Sequence, residues 1–332
     1  MSFLVVFSTG PLFNYLLLFY YKLISEFYDW MEKFQIKFKN GAEFIHRLKT
    51  FADNYDMIRK HNSEGHTYTM ALNQFAHMTH AEFLDHVRIG GTHIPAANLR
   101  RGAPNAPLHT KTGDNPSTVD WTAAGAVTPV KNQGQCGSCW SFSTTGSIEG
   151  AYFLKYGTLE SFSEQNLVSC DTTDLGCNGG LMDDAFVWMQ GNGGICLEAD
   201  YPYTSGDTGQ SGTCNQDSCT KNANSAPASY TDVTPNSVEA MESAVAQQPV
   251  SIAIQANQPA FQFYSGGVLT GNCGQRLDHG VLNTGYGTQD GIDYWQVKNS
   301  WGESWGMDGY ILIEKSDANK CGVLSAASYP TL

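Results

Sequence analysis

Between residues 30 and 62 the apolar positions Phe44, Leu48, Phe51, Tyr55 and Ile58 recur at steps of four and three. That spacing predicts an amphipathic helix with one buried stripe. Upstream, residues 2–21 carry no charge and include an apolar run over 12–21, which reads as a signal peptide or signal anchor spanning 1–25. A basic leader and a small-residue cleavage site are both missing from it, and Gly10-Pro11 falls in its middle. Residues 141–156 predict another helix, ended by Gly157, and Ser163 is placed to cap a short one. An apolar helical patch covers 185–189. After Tyr230 the period becomes two: a helix between 236 and 247, stopped by Pro249, is followed by strands at 250–255, 281–286, 294–298 and 310–314. Helices first and strands later predict an α+β protein with two lobes, and no internal repeat or second membrane span is found.

Charge and cysteine usage divide the chain of 332 residues near Asp114. Residues 1–114 hold 12 basic and 10 acidic side chains, whereas 115–332 hold 7 and 22. So acidic a second part excludes nucleic-acid binding, which needs clustered Lys and Arg. All nine cysteines follow residue 135. An odd count in one dense block predicts four bridges, one free thiol and an oxidising compartment. Eight of the nine histidines precede Asp114, leaving His279 alone in the second part. Between the halves, residues 90–114 are rich in Gly, Pro, Ala and Asn and contain Arg100-Arg101, the composition of an extended, cleavable linker.

The candidate chemistry gathers around Gln133-Gly134-Gln135-Cys136-Gly137-Ser138-Cys139-Trp140, just ahead of the 141–156 helix. A cysteine at a helix N-terminus lies at the positive end of the macrodipole, which favours thiolate. On these residues alone, Cys136 and Cys139 could equally be a zinc or thioredoxin-type pair, or halves of two disulfides. A cysteine nucleophile also needs a base, and in the second part only His279 can be that imidazole. Asn299, in Lys298-Asn299-Ser300-Trp301-Gly302, follows a predicted strand and can orient the base.

With the Cys-Gly-Ser-Cys-Trp run, His279 and Asn299 in place, the chain resembles the papain-like cysteine proteases, in particular a procathepsin L-like zymogen. Glu43, Arg47, Phe51, Asn54, Ile58 and Asn62 match the interspersed pattern of that family's inhibitory propeptide, with Thr50 where an aliphatic residue is usual. In the second propeptide motif Asn73 and Phe75 fit, but Ala71 stands for Gly and His77 for Asp. Histidine titrates where an aspartate is already ionised, so His77 is expected to change the pH at which the propeptide loosens.

The resemblance implies a helical lobe bearing Cys139 against a β-barrel-like lobe bearing His279 and Asn299, with an inhibitory propeptide at 26–89, the linker at 90–114 and the mature peptidase at 115–332. It carries to Gln133 the role of oxyanion donor beside the Cys139 N–H. It makes Gly180 the backbone partner of extended substrate, and Trp301 a wall on the leaving-group side. Leu181, Met182, Ala253, Leu277 and Ala326 become the walls of the pocket for the second residue before the scissile bond, all apolar or small. A hydrophobic substrate residue is therefore expected there. The implied bridges are Cys136 to Cys177, Cys170 to Cys214 and Cys273 to Cys321; Cys196 and Cys219 are extra to the family pattern and are expected to pair with each other, the alternative being exchange with the Cys170 to Cys214 pair. No metal or cofactor is implied. The expected partners are protein and peptide substrates, the chain's own propeptide and cystatin-like inhibitors, for a monomer in the lysosome, the vacuole or outside the cell.

Three other readings are open. The same acyl-enzyme could be intercepted by an amine, giving a ligase, which product analysis with an added amine would reveal. An inactive homologue could serve as a binding protein, although Cys139, His279, Asn299 and Gln133 are all intact. A zinc module would show stoichiometric metal, and the cysteine spacings suit bridges better.

Overall fold

The computed structural model describes residues 11–89, 106–271 and 273–332. Its N-terminal region holds two helices, α1 (Pro11–Lys33) and α2 (Gly41–Ser63), so the stripe read over 30–62 belongs to α2 and does not continue back to Trp30. Gln35 takes a positive φ of 54°, and the Asn40 side chain caps α2 by accepting from the Glu43 N–H. The helices close on Phe27, which is fully buried among Trp30, Phe38, Phe44 and Phe51 at centroid distances of 4.9 to 5.9 Å. Thr50 is buried too, its hydroxyl satisfied by the His46 carbonyl at 3.2 Å. Helix α1 runs through the boundary placed at residue 25, and Leu23 is buried in this same core. The first ten residues of the signal-like segment lie outside the described residues. Among those described, no helix is long and apolar enough to cross a membrane.

Strand β1 (Tyr68–Met70) and α3 (His80–His86) complete this region, α3 opening on a capping box between Thr79 and Glu82. Of the linker, 90–105 lies outside the described residues. Its end is docked rather than free: β2 (Leu108–His109) pairs in parallel with β4 (Ser229–Val233), because Pro107 and His109 carbonyls accept from Asp232 and Thr234 N–H groups.

The remainder forms the two lobes. After β3 (Val119–Asp120), the helical lobe contains α4 (Cys139–Tyr156), ended by Gly157 in the left-handed region, then α5 (Glu164–Cys170), α6 (Met182–Asn192) and α7 (Ser205–Thr208). The second lobe, beyond β4, has α8 (Val238–Val245), β5 (Val250–Ile254), α9 (Pro259–Phe263), β6 (Tyr264–Leu269), β7 (His279–Gln289), β8 (Ile292–Lys298), β9 (Tyr310–Glu314) and β10 (Ala327–Thr331). The strands join in one sheet of order β1-β6-β9-β8-β7-β5-β10-β4-β2, with β3 on β7. Strands from before residue 115 thus cover both edges, removing rows of unpaired backbone groups.

Helix α4 is buried between the lobes although its sequence is rich in Ser and Thr. Each hydroxyl has a use: Ser143 Oγ donates to the Val281 carbonyl at 2.7 Å and Ser147 Oγ to that of Pro249 at 3.0 Å. A Cβ at Gly150 would lie 2.5 Å from Pro249, so glycine lets the helix approach the sheet. Behind α4, Lys131 pairs with Glu149 at 3.1 Å and Glu164 at 2.7 Å, while Lys298 donates to the Thr128 carbonyl at 2.7 Å.

Four disulfides fasten the two-lobed part: Cys136–Cys177, Cys170–Cys214, Cys273–Cys321 and the extra pair Cys196–Cys219. All join residues of 115–332, and Cys139 is the free thiol among the described cysteines.

Candidate active site

Cys139 is the first residue of α4, and the N–H groups of Cys139, Trp140 and Gly280 all turn toward its sulfur, Gly280 at 3.3 Å. The approach loop is braced by the Cys136–Cys177 bridge and by Gly137 N–H on the Cys177 carbonyl at 2.9 Å. A Cβ at Gly137 would sit 2.6 Å from that oxygen. Because Cys136 is bonded to Cys177, the CxxC spacing is neither a zinc pair nor a thioredoxin-type couple.

Gln133 reaches the same place from across the loop. Its backbone N–H donates to the Ser300 carbonyl at 2.8 Å, and its Oε1 accepts from Ser300 Oγ at 2.7 Å. That bond fixes the amide orientation, so Nε2 points away from Ser300, to the Cys136 carbonyl at 3.1 Å and the Val87 carbonyl at 3.2 Å.

His279 begins β7, and Asn299 directly follows β8, its neighbour in the sheet. Asn299 Oδ1 accepts from Ser300 N–H at 2.8 Å and lies 2.7 Å from His279 Nε2. An oxygen already held by a donor must accept from the imidazole too, so the proton is on Nε2 and Nδ1 carries the lone pair. His279 Nδ1 is the ring nitrogen with no hydrogen-bond partner, and Trp301 stacks on the ring at 4.9 Å. Burial pushes the Cys139 thiol up to about 11, against the pull of the Gly280 and Trp140 N–H groups. Burial also holds His279 down at about 4, partly offset by Asn299. The covered site therefore rests as neutral thiol and neutral imidazole.

What covers it is the N-terminal region. Val87 ends α3, and its carbonyl occupies the Gln133 amide; Arg88 follows in the left-handed region at φ 54°, and Ile89 N–H folds back onto the Leu84 carbonyl at 3.1 Å. This is a closed helical turn, not an extended strand. Phe75 and Phe83 meet Trp301 edge-on at 6.4 and 5.3 Å, and Gln74 Nε2 donates to the Trp301 carbonyl at 2.8 Å. The sequence of 26–89 marks it as inhibitory, but nothing in it singles out Val87 as the residue that meets Gln133.

A cavity of about 340 Å³ beside Cys139 and His279 is lined by Gly180, Leu181, Met182, Ala253 and Leu277, and by Leu84, Arg88 and Ile89 from the covering segment. Ala326 lies outside that lining, in an adjoining small cavity shared with Leu181 and Met182. Trp301 is also outside it, buried under Phe75 and Phe83.

A helix-borne thiol, a strand-borne imidazole with a fixed tautomer and a cleft closed by the chain's own N-terminal region define the proform of a cysteine hydrolase. The chain belongs to the papain family: residues 115–331 match the papain family cysteine protease, and residues 27–83 match the cathepsin propeptide inhibitor domain. It is 44% identical over 320 residues to the cysteine proteinase EP-B 1 of Hordeum vulgare, covering 91% of this chain and 82% of the relative. The proform of the Amb a 11 cysteine protease, a ragweed pollen allergen, superposes with TM-score 0.82 at 36% identity, covering 93% of this chain and 94% of the other. Digestive procathepsin L 3 of Tenebrio molitor larval midgut gives TM-score 0.81 at 38% identity, covering 93% and 99%. The protein is thus a cysteine endopeptidase made as a zymogen, inhibited by its own N-terminal domain.

Proposed function

We propose that this endopeptidase hydrolyses peptide bonds through Cys139, His279 and Asn299, with Gln133 as oxyanion donor. The observation that carries the reading is the bond from His279 Nε2 to Asn299 Oδ1 at 2.7 Å, which leaves Nδ1 as the base. Once the propeptide leaves and water enters, the penalty on charge at the site falls and the thiol proton passes to His279 Nδ1. The sulfur attacks the peptide carbonyl carbon. The developing oxyanion is held by Gln133 Nε2–H and the Cys139 N–H, the first of which the Val87 carbonyl engages in the proform. The tetrahedral adduct collapses as His279 gives its proton to the leaving amine, leaving a thioester. Water, deprotonated by the same nitrogen, then hydrolyses the thioester to free acid and thiol. Asn299 keeps the ring in one tautomer throughout.

The apolar cavity walls Leu181, Met182, Ala253 and Leu277 support preference for a hydrophobic residue second before the scissile bond, since burying a charge against them is costly. Gly180 offers backbone to extended substrate, Ala326 borders the adjoining small cavity behind Leu181 and Met182, and Trp301 becomes a leaving-group wall once Phe75 and Phe83 withdraw. The mature unit begins near Asn115, in an acidic compartment. Cleavage of a peptide library by the processed protein and by Cys139→Ser tests the reading: only the first should cut, after Leu, Phe or Val at the second position. Equal cutting by both removes the assignment.

A further inference from the structure

We propose that the Tyr203 hydroxyl is a positioning group for peptide hydrolysis, clamping the two ends of the segment that carries Gln133 and Cys139. The inference rests on the proposed oxyanion roles of the Gln133 amide and the Cys139 N–H. Tyr203 Oη lies 2.8 Å from the Gln133 carbonyl and 2.7 Å from Ser138 Oγ. A carbonyl can only accept, and a phenol has one proton, so Tyr203 donates to Gln133 and Ser138 donates to Tyr203. One oxygen therefore ties the residue that carries the side-chain donor to the residue just before the backbone donor.

Ser138 supplies an independent sign. It is the N-cap residue of α4, where a serine hydroxyl ordinarily accepts from the first turn, yet its side chain makes no capping bond. The hydroxyl turns to Tyr203 instead. The mouth of the helix is left clear on the side of the Cys139 sulfur, where a developing oxyanion needs free N–H groups.

The clamp is itself held rigidly. Glu198 Oε1 accepts from the Tyr203 N–H at 2.9 Å, and Gln165 Oε1 accepts from those of Thr204 and Ser205 at 2.8 and 3.0 Å. Gln135 N–H reaches the Gly206 carbonyl at 2.9 Å, and a Cβ at Gly134 would lie 2.5 Å from that oxygen, so the two loops interlock. The Tyr203 ring meets Phe142 of α4 edge-on at 4.9 Å. Burial pushes the phenol's ionisation upward, keeping it a donor throughout the working range. None of these groups lines the cavity proposed for the substrate side chain. Losing the hydroxyl should therefore loosen the oxyanion donors while leaving substrate affinity alone.

The test compares Tyr203→Phe, Ser138→Ala, Gln133→Ala and the Tyr203→Phe/Gln133→Ala double variant, each processed from its proform by added pepsin and then purified. For Tyr203→Phe, kcat on a peptide substrate should fall about tenfold with KM within about twofold, the size expected for a displaced rather than deleted donor. Affinity for a peptide aldehyde, whose adduct with the thiol carries the same oxyanion, should fall by the same factor. In the Gln133→Ala background the Tyr203 change should cost about threefold rather than tenfold, because only the Cys139 N–H is then left to displace. Ser138→Ala should lower kcat about threefold with KM unchanged, and it carries the test should Tyr203→Phe fail to fold. Full kcat in Tyr203→Phe with a loss in Gln133→Ala overturns the clamp and spares the oxyanion reading; so do losses that multiply in the double variant. Full kcat in Gln133→Ala overturns the oxyanion reading, and the clamp with it.

Discussion

His77 of the propeptide and three carboxyls of the catalytic unit respond to acid in opposite directions. In the propeptide, His77 lies under Trp30 and Phe38, and burial, followed by the charges of Arg47 and His86, lowers it to about 4 against the upward pull of Glu82. A neutral histidine kept below its unfolded value of about 6.5 binds fewer protons folded than unfolded. Its contribution is intact above pH 6.5 and is lost as pH falls toward 4. In the catalytic unit, burial first and then a neighbouring carboxylate raise Glu198 to about 7 and Asp174 to about 9, while burial raises Asp278 to about 6. These carboxyls bind more protons folded, so their share of stability grows as pH falls through those values. Glu149 and His279 run the other way, held below their ordinary values: burial alone would raise Glu149, but Lys131 and Lys298 overcome it, and His279 is lowered by burial. The contrast between His77 and the three raised carboxyls predicts that acid weakens the propeptide more than the catalytic unit. The disulfides, all within 115–332, reinforce the same division.

The largest test of that division is Phe27→Ala. Removing a fully buried ring from the centre of the aromatic core should cost the propeptide about 3–5 kcal/mol. Calorimetry of the proform should show an early transition for the propeptide, with the catalytic unit's own transition where the processed enzyme has it. A single transition that shifts as a whole would mean the two regions are not separable. Next comes the thiol at their boundary. With Cys139 pushed up to about 11 in the proform, alkylation by iodoacetamide at pH 6 should be at least about 100-fold slower than in the processed enzyme, two units of pKa being worth about 2.7 kcal/mol. Equal rates would show that the covering turn leaves the thiol as reactive as in the open cleft.

His77→Gln is the third, and it isolates the acid response of the propeptide. Glutamine cannot charge, so the fall in propeptide stability between pH 6.5 and 4 should flatten by about 1–2 kcal/mol, after allowance for its partial exposure. Activation rate against pH reads this out, with autoprocessing moving to lower pH. An unchanged profile would pass the trigger to His86 or to His279.

Much of the site was legible because its signals are local or unique. Cys139 follows a short loop into α4, and His279 is the one histidine after residue 114, so elimination could do what spacing could not. Asn299 was readable as the polar residue ending a strand, and β9 falls where its alternation put it. The rest depends on partners far along the chain. The α1–α2 break at Gln35 is a backbone event that a 3.6-residue stripe does not report. Ser143 and Ser147 look solvent-facing in sequence until β7 and Pro249 supply their acceptors. Strands β1 and β2 are too short to show a period and exist because β6 and β4 offer free edges. Tyr203 reaches Gln133 across 70 positions, a contact no local pattern encodes.

The smallest effect expected is the most direct check on the catalytic unit's side. Glu198 sits against Glu164, which Lys131 already neutralises at 2.7 Å, so a second negative charge there has no cation of its own. Raised to about 7 from an unfolded value near 4.5, it makes the native state the better proton binder between those limits. Stability therefore declines as pH rises from 4.5 to 7. Glu198→Gln keeps an oxygen for the Tyr203 N–H and removes the charge, so it should flatten that decline by about 1 kcal/mol once solvent screening is allowed for. Melting temperatures of the processed enzyme at pH 4.5 and 7, for wild type and variant, read it out. A variant that destabilises equally at both pH values would show that Glu198 serves only as an acceptor for Tyr203. The carboxyls of the catalytic unit that favour acid would then be Asp171, Asp174 and Asp278.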